Sequence, residues 1–358
     1  ATAAGPEPAQ GGAMMRWERV CVHDFGAVLP PVELSSAAIE EQLRPVYERL
    51  KLPAGRLELM TGIGARRLWE PGTRPSDGAA AAGRLALDRS GVPAEAIGCL
   101  LFTSVSRDMM EPATAAFVHR SLGLPDSCLL FDISNACLGF LDGMVMLANM
   151  LELGQVQAGL VVAGETAEDL VRSTLAHLRT DTSLTRKSIK PLFASLTIGS
   201  GAVAVVLSRQ DVADSGHRLI GGACRANTRY NDLCQGGQNA EQGTLMSTDS
   251  EQLLEKGIDT AARCWQEFQQ VLGWAAVDID RFFCHQVGRA HAQRLFSTLA
   301  LDPARNFETL PYLGNVGSVS APITMALGIE QGALAPGQRA ALLGIGSGIN
   351  SLMLGIDW

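Results

Sequence analysis

Short unbroken apolar runs alternate with longer stretches of helical spacing along this chain. The runs at 97–105, 128–133, 158–163 and 340–345 have the length of buried strands. Further strands are predicted near 19–24, 217–224 and 278–286, with a last one ending at Trp358. Helices follow from caps and breakers. Ser35 opens one that reaches about residue 50, and Ser76 and Asp77 open another that reaches Ser90. Pro112 precedes a helix at 113–122. Others are predicted at 138–153, closed by Gly154, and at 251–272, 290–299 and 321–332. The polar segment 180–190 reads as a surface loop or lid, and 227–250 as irregular.

This alternation argues an α/β fold. The order also repeats. Strand, helix, strand, turn, helix and strand from 97 to 164 return from 278 to 344. The chain therefore reads as two similar halves, 17–210 and 211–358, after a flexible leader at 1–16. Each half is expected to be a helix-covered sheet, with a site between them where helix N-termini converge.

Composition narrows the class. Of 358 residues, 47% are hydrophobic, enough for a large core. The net charge of −8 argues against a broad nucleic-acid-binding face. Eight cysteines form no C-x-x-C pair, and several lie in apolar runs. Neither a disulfide framework nor a zinc site is expected, and a reduced, cytoplasmic setting is. No grouping of acids and histidines indicates a metal. No apolar run has membrane-spanning length.

The candidate chemistry centres on Cys137, in Phe131-Asp-Ile-Ser-Asn-Ala-Cys137-Leu-Gly-Phe140. Here a strand turns sharply into a helix. Such a turn exposes the sulfur and sets it at the positive end of the helix dipole, which is expected to lower its pKa. Taken alone, the same residue also fits a buried structural cysteine. His285 ends a strand in the second half, and Asn315 lies in the loop before the next helix. Cys, His and Asn together form a nucleophilic set. His291, six residues beyond His285, reads as surface or as backing for the site.

These residues, with Gly344-Ile-Gly-Ser-Gly348, resemble the thiolase superfamily, and within it the ketoacyl synthase III branch. The resemblance implies a homodimer of five-layered αβαβα subunits. It also implies that Cys137 accepts an acyl group from a thioester, that His285 and Asn315 hold an enolate, and that the amides of Cys137 and Ser347 form an oxyanion hole. Arg107-Asp-Met-Met-Glu111-Pro-Ala-Thr114, Gly164-Glu-Thr166 and Ser347-Gly-Ile-Asn350 look like the OleA-type enzymes. Those join two fatty acyl-CoA molecules head to head without decarboxylation, which requires a base. Glu111, reaching across the dimer, is the candidate; an ordinary first-turn helix carboxylate is the alternative.

Gly288 stands where many ketoacyl synthase III enzymes carry Asn. Ser347 and Asn350 replace their terminal glycine and Trp-Gly pattern. Both departures point away from the fatty-acid initiator. Arg67, Arg186 and Lys187 are candidate contacts for CoA phosphates, and Met109, Met110, Met144 and Met146 for an acyl channel. The expected substrates are CoA or phosphopantetheine thioesters, with no cofactor and with acyl carrier protein as a second carrier. The rival readings are decarboxylative condensation with a malonyl carrier protein, acyl transfer to a hydroxyl, thioester hydrolysis, and a non-catalytic scaffold.

Overall fold

The computed structural model describes residues 14–239 and 243–358. The predicted leader therefore lies outside the described residues up to 13. Its end is structured, because Met14–Arg16 already pairs in a sheet.

The ten central strands are β1 (Met14–Arg16), β2 (Val20–Val28), β3 (Ile97–Phe102), β4 (Leu129–Asp132), β5 (Ala158–Glu165), β6 (Gly201–Arg209), β7 (Arg218–Ala226), β8 (Arg281–Cys284), β9 (Arg339–Gly346) and β10 (Asn350–Asp357). They follow the order β8-β9-β10-β7-β2-β6-β5-β3-β4, with β1 added on β7. The two halves touch within this order at one residue pair, Cys21 with Arg218.

The predicted duplication is visible in the pairing. β4-β3-β5 are parallel neighbours, and β6 and β2 continue antiparallel. In the second half β8-β9 are parallel, and β10 and β7 continue antiparallel. The counterpart of β4 shrinks to a single parallel bridge between Phe282 and Asn306. One detail corrects the predicted boundary: β1 belongs to the sheet of the second half, pairing Met14 with Ala223.

Side chains alternate across each strand, and this alternation builds the layers. In β6, Val203, Val205 and Leu207 face a central core. Ala202, Ala204 and Val206 face an outer one. The outer core is closed by α1 (Pro75–Ser90) and α2 (Thr114–Leu122). The central core holds α3 (Gly139–Glu152) and α6 (Ser320–Glu330) between the two half-sheets. On the far side, α4 (Ser250–Leu272) and α5 (Arg289–Leu299) cover Ala341, Leu343 and Met353. The result is the five-layered αβαβα arrangement of the thiolase fold.

Several local expectations change. Residues 128–133 are not a buried strand: β4 is a sheet edge, and Leu129 is 53% exposed. The stretch 227–250 is not irregular, because Cys234–Asn239 pairs with Gly243–Thr248 as a hairpin. A helix at Glu168–Thr180, buried at Val171, Thr174, Leu175 and Leu178, precedes the predicted lid. Arg49 then pins that segment by donating to the carbonyls of Thr182 and Leu184.

The approach of α3 to β3 places the site. A Cβ on Gly139 would lie 2.2 Å from the Thr103 carbonyl oxygen, so only glycine lets the helix start there. Gly139→Ala should therefore destabilise the protein by at least about 1–3 kcal/mol. Chemical unfolding measures this, and an unchanged midpoint would refute the packing argument.

Candidate active site

Cys137 sits in a tight turn between β4 and α3. Leu138 and Gly139 donate back to the carbonyls of Asn135 and Ala136 at 3.0 and 3.3 Å. Ala136 takes a positive φ of 46° to make the turn. The predicted sharp strand-to-helix turn is therefore present.

The thiol is less acidic than expected. Burial, the largest effect, pushes it up to about 12, and Cys234 and Glu165 nearby add to the rise. The backbone N–H groups of Cys137 and Ser347 act in the opposite sense. By surface area the residue is only half-buried. Protein nevertheless crowds the sulfur closely enough for desolvation to outweigh the helix end. The same two N–H groups are the predicted oxyanion donors, so the structure brings Ser347 to the cysteine. Gly346 confirms the closeness: a Cβ there would lie 3.6 Å from the Cys137 Cβ.

His285 follows β8, and its amide donates to the Leu343 carbonyl at 2.9 Å. The residue is buried, and neither ring nitrogen has a hydrogen-bond partner. Burial and the neighbouring His291 hold it down to about 3, so it is neutral at any ordinary pH. His291 is partly buried and is itself held down to about 4 by burial. It is thus a close neighbour of His285 rather than a surface residue. Gln286 fixes the next turn, accepting from Thr309 and Leu310 at 3.0 and 2.7 Å and donating to Phe307.

Asn315 is held through its backbone, which bonds to Thr197 and Gly199 at 2.9 and 2.8 Å. Its Oδ1 accepts from the Gly317 amide at 3.0 Å. The other end of the amide, Nδ2, is a donor.

Glu165, at the end of β5, was singled out in the sequence only through the resemblance. It is buried and accepts from the Val105 and Ser106 amides, the Ser106 hydroxyl, and the Ser318 amide and hydroxyl at 2.8–3.2 Å. It therefore ties the loop that carries Glu111 to the segment just after Asn315. A buried acid among small residues at a strand end was its sequence signal. Cys234, which also raises the Cys137 thiol, has no motif signal and lies in a hairpin whose composition resembles an irregular segment.

The remaining candidates lie apart. Glu111 is exposed in the loop after β3, with Met109 and Met110 also exposed. Met144 is in the central core, while Met146 is 44% exposed, so the methionines line no common channel within the chain. Arg67 pairs with Glu33 at 3.3 Å. Arg186 donates to the carbonyls of Leu50 and Lys51, which makes it a tie between loops, and Lys187 beside it is exposed. Among the described residues, no helix is long and apolar enough to cross a membrane.

A cysteine at a strand-to-helix turn, a buried histidine and an asparagine on a duplicated αβαβα frame are what a thiolase-fold acyltransferase carries. Family profiles for 3-oxoacyl-[acyl-carrier-protein] synthase III match residues 131–228, and its C-terminal part matches 270–358. The chain is 40% identical over 344 residues to an acyl-CoA:acyl-CoA alkyltransferase of Xanthomonas campestris, covering 96% of this chain and 100% of that one. It is 38% identical over 351 residues to the enzyme of the same name from Shewanella oneidensis, with the same coverage. Its structure matches that of Xanthomonas campestris OleA with bound lauric acid and lauroyl-CoA, with a TM-score of 0.91 and 39% identity over 96% of this chain and 100% of that one. The chain belongs to the OleA-type acyl-CoA:acyl-CoA alkyltransferases of the ketoacyl synthase III family.

The raised thiol has a measurable consequence. Only the thiolate is nucleophilic, so alkylation of Cys137 by iodoacetamide should rise about tenfold per pH unit from roughly pH 7 to 10. Peptide mass spectrometry follows the site. A plateau near pH ~8 would mean the helix end wins after all.

Proposed function

We propose that this protein condenses two fatty acyl-CoA molecules to a β-ketoacyl-CoA, without decarboxylation and through an acyl group carried on Cys137. One observation carries this reading: near full-length similarity to acyl-CoA:acyl-CoA alkyltransferases. Structures of the Xanthomonas relative include replacements of a cysteine, a histidine and a glutamate. That glutamate precedes that cysteine by the same distance as Glu111 precedes Cys137.

The chemistry begins with the Cys137 proton. As the sulfur attacks the first thioester carbonyl, its proton passes to the departing CoA sulfur, and His285, whose ring nitrogens are both unpartnered, is the group assigned to relay it. The oxyanion is held by the amides of Cys137 and Ser347, and losing one such donor typically costs ~10²–10³ in rate. CoA leaves as the thiol, recovering the proton. The second acyl-CoA then loses an α-proton to Glu111, and His285 and the Asn315 amide hold its enolate oxygen. The carbanion attacks the Cys137 thioester. A carbon–carbon bond forms, the carbon–sulfur bond breaks, and the thiolate is reprotonated. The balance is two acyl-CoA in, one β-ketoacyl-CoA and one CoA out.

Glu111 acts from the partner subunit of a homodimer. Among the described residues nothing pairs with the outer edge of β4, Leu129 is 53% exposed, and Met110 in the Glu111 loop is 86% exposed. An open edge strand beside exposed apolar side chains is a surface that proteins normally cover. The enzyme is read as cytoplasmic and as serving lipid biosynthesis, with Arg67 and Lys187 as outlying candidates for CoA phosphates. Arg186 is already committed to backbone carbonyls and is the weakest of the three.

Mixing two inactive variants tests base and dimer together. Glu111→Ala and Cys137→Ala, unfolded and refolded together with myristoyl-CoA as sole substrate, should regain part of the wild-type β-keto product. Each mixed dimer then holds one site with an intact cysteine and an intact partner glutamate. No recovery would place Glu111 and Cys137 in the same chain's site. Carbon–carbon bond formation by the wild type only after adding a malonyl thioester would favour the decarboxylative reaction named by the family profiles.

A further inference from the structure

Asn350 is one of the two residues that depart from the terminal ketoacyl synthase III pattern, and the structure gives it a place. It opens β10 opposite Gly346 and closes the turn Ser347-Gly348-Ile349. Its Nδ2 donates to the Ser347 carbonyl at 3.3 Å and to Asn135 Oδ1 at 3.2 Å. Asn135 in turn donates from Nδ2 to Asp142 Oδ2 at 2.8 Å. Asn135 lies two residues before Cys137, and Asp142 lies in the first turn of α3.

We propose that Asn350, with Asn135 and Asp142 behind it, is a positioning residue that holds the two oxyanion donors in register. This rests on the reading of Cys137 and Ser347 given above. Those N–H groups come from separate segments of the chain, one in the Cys137 turn and one after β9. Among the described residues no backbone hydrogen bond joins the two segments, whereas the Asn350 side chain spans them. Their orientations are not arbitrary. The Ser347 carbonyl can only accept, which sets the NH₂ end of Asn350 toward it. Asn135 must then offer oxygen to Asn350 and nitrogen to Asp142.

The turn needs such a brace. Gly348 sits at φ 131°, a conformation that side-chain-bearing residues rarely adopt. On its far side the Ile349 carbonyl accepts from the Asn227 amide at 2.7 Å. Asn350 is the brace on the cysteine side. A misplacement of about 1 Å in a reacting geometry can cost ~10² in rate.

The test is the single-turnover rate at which Cys137 takes up myristoyl from myristoyl-CoA, followed by intact mass. Asn350→Ala and Asn135→Ala should each lower the maximal rate about 10- to 100-fold, with half-saturation within about twofold of wild type. The double variant should be hardly slower than either single one, because each breaks the same link. Asn350→Asp adds a readout that a purely structural brace would not move. As a carboxylate it offers Ser347 and Asn135 no donor, and as the acid it offers one. Its rate relative to wild type should therefore climb as pH falls toward the carboxyl range.

If Asn350→Ala does not fold, Asn135→Ala breaks the link from the other side, and near-isosteric Asn350→Asp carries the pH readout. Folded variants that acylate within twofold of wild type, or a flat Asn350→Asp ratio, would overturn the proposal. Wild type that fails to acylate at all would instead overturn the reading of Cys137, so the two failures are distinct.

Discussion

The Glu165 carboxylate is the tie on which the site depends. It is buried at the end of β5 and gathers donors from two loops that are far apart in sequence. One loop follows β3 and carries Glu111; the other follows Asn315. Without an acceptor here, the amides of Val105, Ser106 and Ser318 would lose their hydrogen bonds, at roughly 1–3 kcal/mol for each one left buried. The contact is so close that a Cβ on Gly317 would fall 2.9 Å from Glu165 Oε1. One acid thus ties the loop that carries Glu111 to the loop that carries Asn315.

The duplicated frame explains why this tie works. α3 and α6 occupy equivalent positions in the central layer, and each begins beside a functional loop. Cys137 belongs to the first loop and Asn315 to the second. β8 and β9 deliver His285 and Ser347 from the other half. The candidate residues therefore come from both halves of the chain. Burial sets the charges as well: it keeps His285 neutral and holds the Cys137 thiol in its protonated form.

Much of this was legible in the sequence because strong periodicity survives packing. The apolar runs of β3, β5 and β9 and the helical spacing of α3 and α4 appear where expected. The edge position of β4 is not legible, because an apolar run looks the same at a sheet edge as in a sheet centre. The helix Glu168–Thr180 had its signal in the spacing of Val171, Leu175 and Leu178, but the charged residues between them drew attention to the loop beyond. The Cys137 pKa was misjudged for a physical reason: a helix end is visible in sequence, whereas desolvation depends on what packs around it. Glu165 and Asn350 were visible only as motif letters, since their roles lie in contacts across more than 100 positions.

The proposed chemistry depends on an acyl-enzyme at Cys137. The most direct measurement is the intact mass of the Glu111→Ala protein after incubation with myristoyl-CoA, with the modified peptide sequenced. A single myristoyl group on Cys137, accumulating with no β-keto product, is the predicted result. An unmodified protein, an acyl group on another residue, or continued condensation without Glu111 would contradict it.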